Sequence, residues 1–161
     1  MGRTRFDQMN CGIAQALEIL GDWWTLLIVR DAFFGIRRFS DFQAELGIAK
    51  NILSDRLQRL VDHQILERRE AGASGSRFEY HLTDKGEALL PVLTTLREWS
   101  DEWVYGEGNE PVVITHRATG RTLPKLRLRD RNGRPLGRRD LRTEAGPGAN
   151  ARTRAMFRKR A

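Results

Sequence analysis

The sequence predicts a mainly α-helical (α+β) domain with one small β-hairpin, followed by a short basic extension. Three observations predict it. Apolar residues recur at helical spacing through most of the first two thirds of the chain. The strand-like run ILERREAG is joined to a second, RFEYHL, by the flexible loop AGASGS. At GEGNEP, Gly106 to Pro111, the composition changes to short β-like runs punctuated by Gly and Pro.

The elements follow in order. CGIAQALEIL forms a first helix with Ile13, Ala16, Leu17 and Leu20 on one line, ended by Gly21. Asp22 is placed to cap DWWTLLIVRDAFF. Trp23, Leu27 and Phe34 on one side and Trp24 and Ile28 on another make this helix central, and Gly35 closes it. Ser40 caps a short third helix, SDFQAEL, that stops at Gly47. A fourth helix runs from about Ala49 to His63, and the hairpin follows it. Thr83 then caps a long helix from Asp84 to about Tyr105, with Leu89, Leu93, Leu96, Trp99 and Trp103 as its apolar line. Pro91 should bend that helix or remove one of its bonds. A short helix, a Gly turn, a helix and a hairpin make a winged helix-turn-helix.

In LGIAKNILSDRLQRLV, Ala49, Leu53, Leu57 and Leu60 fall within ~40° of one direction at ~100° per residue. Asn51, Asp55, Gln58 and Asp62 point away from it, and Lys50, Ile52, Ser54 and Arg59 flank. A helix lodged in the major groove of double-stranded DNA needs short polar side chains and amides near its N-terminal end. Lys50, Asn51 and Ser54 meet that need. Asp55 either accepts from cytosine or pairs with Arg56 or Arg59. In the hairpin, Arg68, Arg69 and Arg77 flank the loop Ala71 to Ser76 and are placed for the minor groove or phosphates. The alternative is that they pair with Glu67, Glu70 and Glu79.

The net charge of +7 is unevenly placed. Residues 1–110 carry 13 Lys+Arg against 18 Asp+Glu, net −5, and residues 111–161 carry 15 against 3, net +12. The high pI therefore belongs to the extension, which attracts polyanions without sequence preference.

Other classes find little support. No apolar run is long enough for a bilayer, and MGRTRFDQMN is no signal peptide, so a soluble, cytoplasmic protein without a membrane partner is expected. The single cysteine, Cys11, excludes an intrachain disulfide and a cysteine-based zinc site within one chain. His63, His81 and His116 stand at no recognisable motif spacing. There is no Gly-rich phosphate loop, paired-carboxylate motif or metal-ligand set. No enzyme, cofactor or metal is expected.

These residues resemble a family. The run Cys11, Ala16-Leu17, Leu20-Gly21-Asp22-Trp23-Trp24, then Gly35 with Arg38-Phe39-Ser40-Asp41-Phe42, then Ile48, Leu53-Ser54-Asp55-Arg56-Leu57 and Leu60, then Glu79-Tyr80, Leu82-Thr83, Gly86, Leu89 and Trp99 is similar to the HxlR-type winged-helix transcriptional regulators of bacteria, within the MarR-like superfamily. The likeness covers about residues 9–104. It implies a homodimer joined through the first and last helices, with two recognition helices set to read a pseudo-palindromic operator. It also puts Lys50, Asn51, Ser54 and Arg56 on the DNA-reading helix. The chain departs from the family pattern at Gly12, where Pro is usual, and at Asp22-Trp23-Trp24, where Gly-Lys-Trp is usual. It departs again at Gln64, where Gly is usual, and in its Gly/Ser-rich wing.

Cys11 stands where some members carry a redox- or electrophile-sensing thiol, and a helix start favours the thiolate. The extension resembles a small zinc ribbon that has lost its ligands, with His116 and Thr119 in one pair of positions and Arg129 and Asn132 in the other. ARTRAMFRKRA would then be a flexible arm or helix on phosphate.

The expected organisation is a winged helix-turn-helix domain at 1–105, with dimerisation helices at both ends, and a basic extension at 106–161. The expected function is a sequence-specific DNA-binding regulator, a homodimeric repressor. Lys50, Asn51, Ser54, Arg56, Arg59 and Arg77 are its DNA-contacting residues. The alternatives are a non-specific nucleic-acid-binding protein, and a regulator answering to redox state or to a small-molecule effector. Cys11, or a pocket among Trp23, Trp24, Phe33 and Phe34, would be the sensor.

Overall fold

The computed structural model describes residues 6–71 and 78–158. The chain divides into two compact units, residues 1–94 and 95–161, with the division inside a helix.

The first unit is built from α1 (Gly12–Leu20), α2 (Trp23–Phe33), α3 (Phe39–Leu46), α4 (Lys50–Asp62), β1 (Leu66–Glu70), β2 (Phe78–Leu82) and α5 (Asp84–Glu87), and ends in α6 (Leu90–Ser100). Its core joins Ile28, Val29 and Ala32 of α2, Phe42 of α3, and Leu53, Leu57 and Leu60 of α4 to Ile48, Ile65 and Leu66. Tyr80 meets Phe42 edge-to-face, with ring centroids 6.4 Å apart. The strands pair antiparallel in one register, Leu66 opposite Leu82 and Glu70 opposite Phe78. This is a mainly α-helical winged helix-turn-helix with a two-stranded wing.

Several local expectations hold for local reasons. The Asp22 carboxylate accepts from the Trp24 amide at 3.1 Å and so caps α2. Gly47 ends α3 at φ 60°, a left-handed conformation that costs a Cβ-bearing residue energy. Thr83 caps α5, accepting from the Gly86 amide at 3.1 Å while donating to the Gln64 carbonyl at 2.6 Å.

Other expectations give way to tertiary contacts. Ser40 does not cap α3. The helix starts two residues earlier, at Phe39 with Arg38 as its N-cap, and the Ser40 hydroxyl donates to Asp41 at 2.9 Å. The reason lies across the chain. The Tyr80 amide donates to the Arg37 carbonyl at 2.8 Å, and Arg38 forms a bridge with Glu79. The backbone is therefore held extended up to Arg38 and turns helical directly after it. Ala49 is exposed rather than inward, because its ψ of 138° makes it the extended N-cap of α4, off the helix wheel. In α1 the buried residue is Ala14, while Ile13 and Leu17 are 74% and 45% exposed. Trp23 of α2 and Phe34 at its C-cap are also exposed, so α2 is central along its Ile28, Val29 and Ala32 face only.

The long last helix is interrupted. α5 stops at Glu87 and α6 begins at Leu90. Pro91 cannot donate to the carbonyl four residues back, and its ring crowds that carbonyl, which is Glu87's. Leu89 and Leu93 pack on the core of the first unit.

In the second unit, α6 continues into a π-helical turn, Asp101–Tyr105, closed by Gly106 at φ 83°. Leu96, Trp99 and Trp103 are exposed there. The buried Glu98 carboxylate accepts from the Leu126 amide at 3.1 and 3.0 Å and lies 3.6 Å from Arg127. Glu102 pairs with Lys125 at 3.0 Å, and Arg97 pairs with Asp101. This charge ladder ties the extension to α6. Two small turns follow, bridged at Thr115 to Thr122 and at Arg129 to Pro135. A 3-10 turn at Arg138–Asp140 and α7 (Ala151–Arg158) complete the unit. No single helix among the described residues is long and apolar enough to cross a membrane.

Candidate nucleic-acid interface

α4 has two contrasting sides. Leu53, Leu57 and Leu60 are each 1% exposed or less and bind the helix to the core. Burying three leucines stabilises the seating by roughly 1.5–3 kcal/mol each, an upper range. Lys50, Asn51, Ser54, Asp55, Gln58 and Asp62 are exposed on the other side. Gln58 is committed within the helix, donating to Asp62 at 2.8 Å. Lys50, Asn51 and Ser54 occupy the first turns of α4, where no side chain caps the helix. The first amides of a helix carry partial positive charge, which suits an approaching polyanion.

The flank of α4 carrying Arg56 and Arg59 is turned to the protein. Arg56 Nη2 meets Asp22 Oδ2 at 2.7 Å, each side chain 29% exposed. That hydrogen bond holds the Arg56 guanidinium above its ordinary pKa, so it is charged at any working pH. Arg59 donates to the Glu18 carbonyl and lies 3.9 Å from the Glu18 carboxylate. The two arginines expected at the DNA thus clamp α4 to the junction of α1 and α2.

In the wing, Arg68 does not pair with a carboxylate on the opposite strand. Its guanidinium lies 4.2 Å from the centroid of the Phe78 ring, a cation–π contact. Arg69 pairs with Glu67 on its own strand. Glu79 lies 3.4 Å from Arg38 and 3.3 Å from His81. Arg77 and the loop residues 72–76 lie outside the described residues. Cys11 is exposed at the N-cap of α1, where its side chain makes no capping bond.

Sequence reasoning overlooked the bridge between Arg38 and Glu79 and the double use of Asp22. Asp22 in place of the usual Gly-Lys pattern was the available signal for the second, since an added carboxylate implies a cation nearby.

The class that this fold and face define is a DNA-binding regulator of the winged helix-turn-helix type. Residues 19–107 match the HxlR-like helix-turn-helix family, and the chain belongs to it. An HTH-type transcriptional regulator of Mycobacterium tuberculosis is 34% identical over 148 residues, 92% of each chain. PA1374, a candidate transcription factor from Pseudomonas aeruginosa, is 35% identical with a TM-score of 0.63, covering 91% of this chain and 99% of that one. PA1607, another candidate transcription factor, is 42% identical with a TM-score of 0.81, covering 88% and 99%. Coverage of 88–92% of this chain means that these likenesses reach into the basic extension. The reduced form of the Bacillus subtilis regulator YodB is 30% identical, with a TM-score of 0.52 over 60% of this chain and 96% of that one. The protein is thus a transcriptional regulator of the HxlR family that acts on DNA.

Proposed function

We propose that the protein is a homodimeric repressor that reads a pseudo-palindromic operator with α4. The observation that carries this reading is the two-sided α4: a leucine face that fixes the helix, and exposed Lys50, Asn51 and Ser54 at its N-terminal end. Asn51 is suited to adenine and Ser54 to either partner of a base pair. Lys50 supplies charge to phosphate or guanine. Arg56 and Arg59 serve this face by holding α4 in place through Asp22 and Glu18. Arg77 belongs with the wing's phosphate contacts by its place in the sequence.

Exposed apolar side chains support the dimer. Ile13 and Leu17 on α1, Leu96 and Trp99 near the end of α6, and Trp103 in the π-helical turn after it are surfaces that a monomer would leave in water. A functional division at 105–106 follows, because the dimerising helix and the reading helix serve one purpose and the extension another. The extension adds sequence-independent phosphate contacts. The reading of a ribbon-like hairpin without ligands rests on two small turns, at His116 to Thr119 and at Asp130 to Gly133. A redox-responsive form of the same reading keeps Cys11 as its sensor, supported by its exposure.

Selection from random duplexes by the full-length protein tests this. The expected product is a short inverted repeat bound by two protomers, retained as salt is raised. Recovery of unrelated sequences, all released by salt, would make the protein a non-specific nucleic-acid binder.

A further inference from the structure

We infer that a groove in the second unit, between residues 141–145 and α7, binds a small amphipathic organic anion such as an aromatic carboxylate. The groove has a volume of about 720 Å³. That is the scale of small-molecule sites, which run ~300–1,000 Å³. Its walls combine an apolar part with positive charge. Leu141 and Phe157 supply the apolar part, and Arg142, Arg154 and Arg158 the charge. Arg154, Phe157 and Arg158 stand three and four residues apart on α7, so they share one helix face.

The charges are not balanced from within. Glu144 is the one carboxylate in the lining, and it is already 3.0 Å from Arg142. Arg154 and Arg158 have no carboxylate partner among the described residues. Two guanidinium groups beside an aromatic ring suit a carboxylate carried on an apolar body. The forked donors take the oxygens, and the ring and Leu141 take the body. A bare phosphate of a nucleic-acid backbone would answer the charge and leave the Leu141 and Phe157 surfaces in water. The observations therefore favour the amphipathic anion over DNA as occupant. A consequence rests on the function proposed above: an occupant cancels one positive charge of the extension, engages both guanidinium groups and so weakens the extension's hold on phosphate.

The test is a titration of the isotopically labelled full-length protein with 2-naphthoate, followed by amide NMR without DNA, and repeated with neutral 2-naphthamide. The expected result is saturable shifts at Ala145, Phe157 and Arg158, with the amide about tenfold weaker or more, the loss expected for a charge-assisted hydrogen bond. The R154Q/R158Q double variant should show the same loss for the carboxylate. Equal affinity for carboxylate and amide would overturn the inference, because adhesion would then be apolar only. So would shifts centred on Trp99 and Trp103 in place of the groove. Both comparisons on the unsubstituted protein stand if the double variant fails to fold. Because no DNA is present, failure of the operator reading leaves the result intact, and the reverse holds too.

Discussion

The Asp22 carboxylate serves two elements at once. One oxygen caps α2 through the Trp24 amide, and the other meets Arg56 of α4 at 2.7 Å. The start of α2 and the orientation of α4 are therefore set by one side chain. Asp22→Ala should lose the cap, about 1 kcal/mol, and the ion pair, up to about 1 kcal/mol at a half-exposed site. Asp22→Asn should keep the cap and lose only the second part. Denaturant unfolding of both variants checks this. Equal losses would mean that the two roles are not separable.

Gln64 lies at φ 58°, the left-handed region, at the point where the family usually has glycine. A Cβ there costs about 1 kcal/mol, partly offset by the lower chain entropy of a non-glycine residue when unfolded. Gln64→Gly should raise the melting temperature slightly, by about 0.5–1 kcal/mol of stability. Gln64→Val should lower it by more. A glycine variant less stable than the parent would show that the Gln64 side chain contributes contacts that outweigh the strain.

Asp31 is buried with one carboxylate oxygen lacking a hydrogen bond, while the other is held by Arg30 at 2.8 Å. Burial pushes its pKa above the ordinary 3.8, against the pull of Arg30. The folded state thus binds this proton more tightly than the unfolded chain does. Stability from this group is greatest below 3.8 and is lost as pH rises through the raised folded value. Asp31→Asn should therefore be the more stable protein at neutral pH, with the difference closing on acidification towards 3.8. Melting curves across that range test the sign. A variant that is less stable at neutral pH would mean that the Arg30 pairing outweighs the burial.

Glu98 holds the extension. Its carboxylate is 9% exposed and takes the Leu126 amide and Arg127. Glu98→Ala should loosen residues 111–127 by about 2 kcal/mol, the range for hydrogen bonds to a buried charge. Limited trypsin digestion should then cut faster at Arg117, Arg121 and Lys125. An unchanged digestion rate would mean that the extension is held elsewhere.

What the sequence made legible was what neighbouring residues decide among themselves. The caps at Asp22 and Thr83, the stop at Gly47, and the leucine line of α4 each depend on a few adjacent positions. Ser40 was misread because β2 holds Arg37 and Arg38 extended and so fixes where α3 starts, and Ala49 because the extended N-cap of α4 lies off the helix wheel. The polar face of α4 was visible on a helix wheel. The partners of Arg56 and Arg59 were not, since Asp22 and Glu18 lie more than thirty residues away in the chain. The line of Ile13 and Leu17 was visible as a stripe, but not its exposure: periodicity says nothing about whether the same chain covers a stripe.

The central claim is that the N-terminal turns of α4 read bases. The most direct measurement is a parallel selection of binding sites by the parent protein and by Asn51→Ala, with affinities measured for each preferred site at one salt concentration. The account predicts that the variant keeps the spacing of the repeat and loses preference at one position in each half-site, at a cost of about 1–3 kcal/mol. An identical preferred sequence, bound with unchanged affinity, would contradict it.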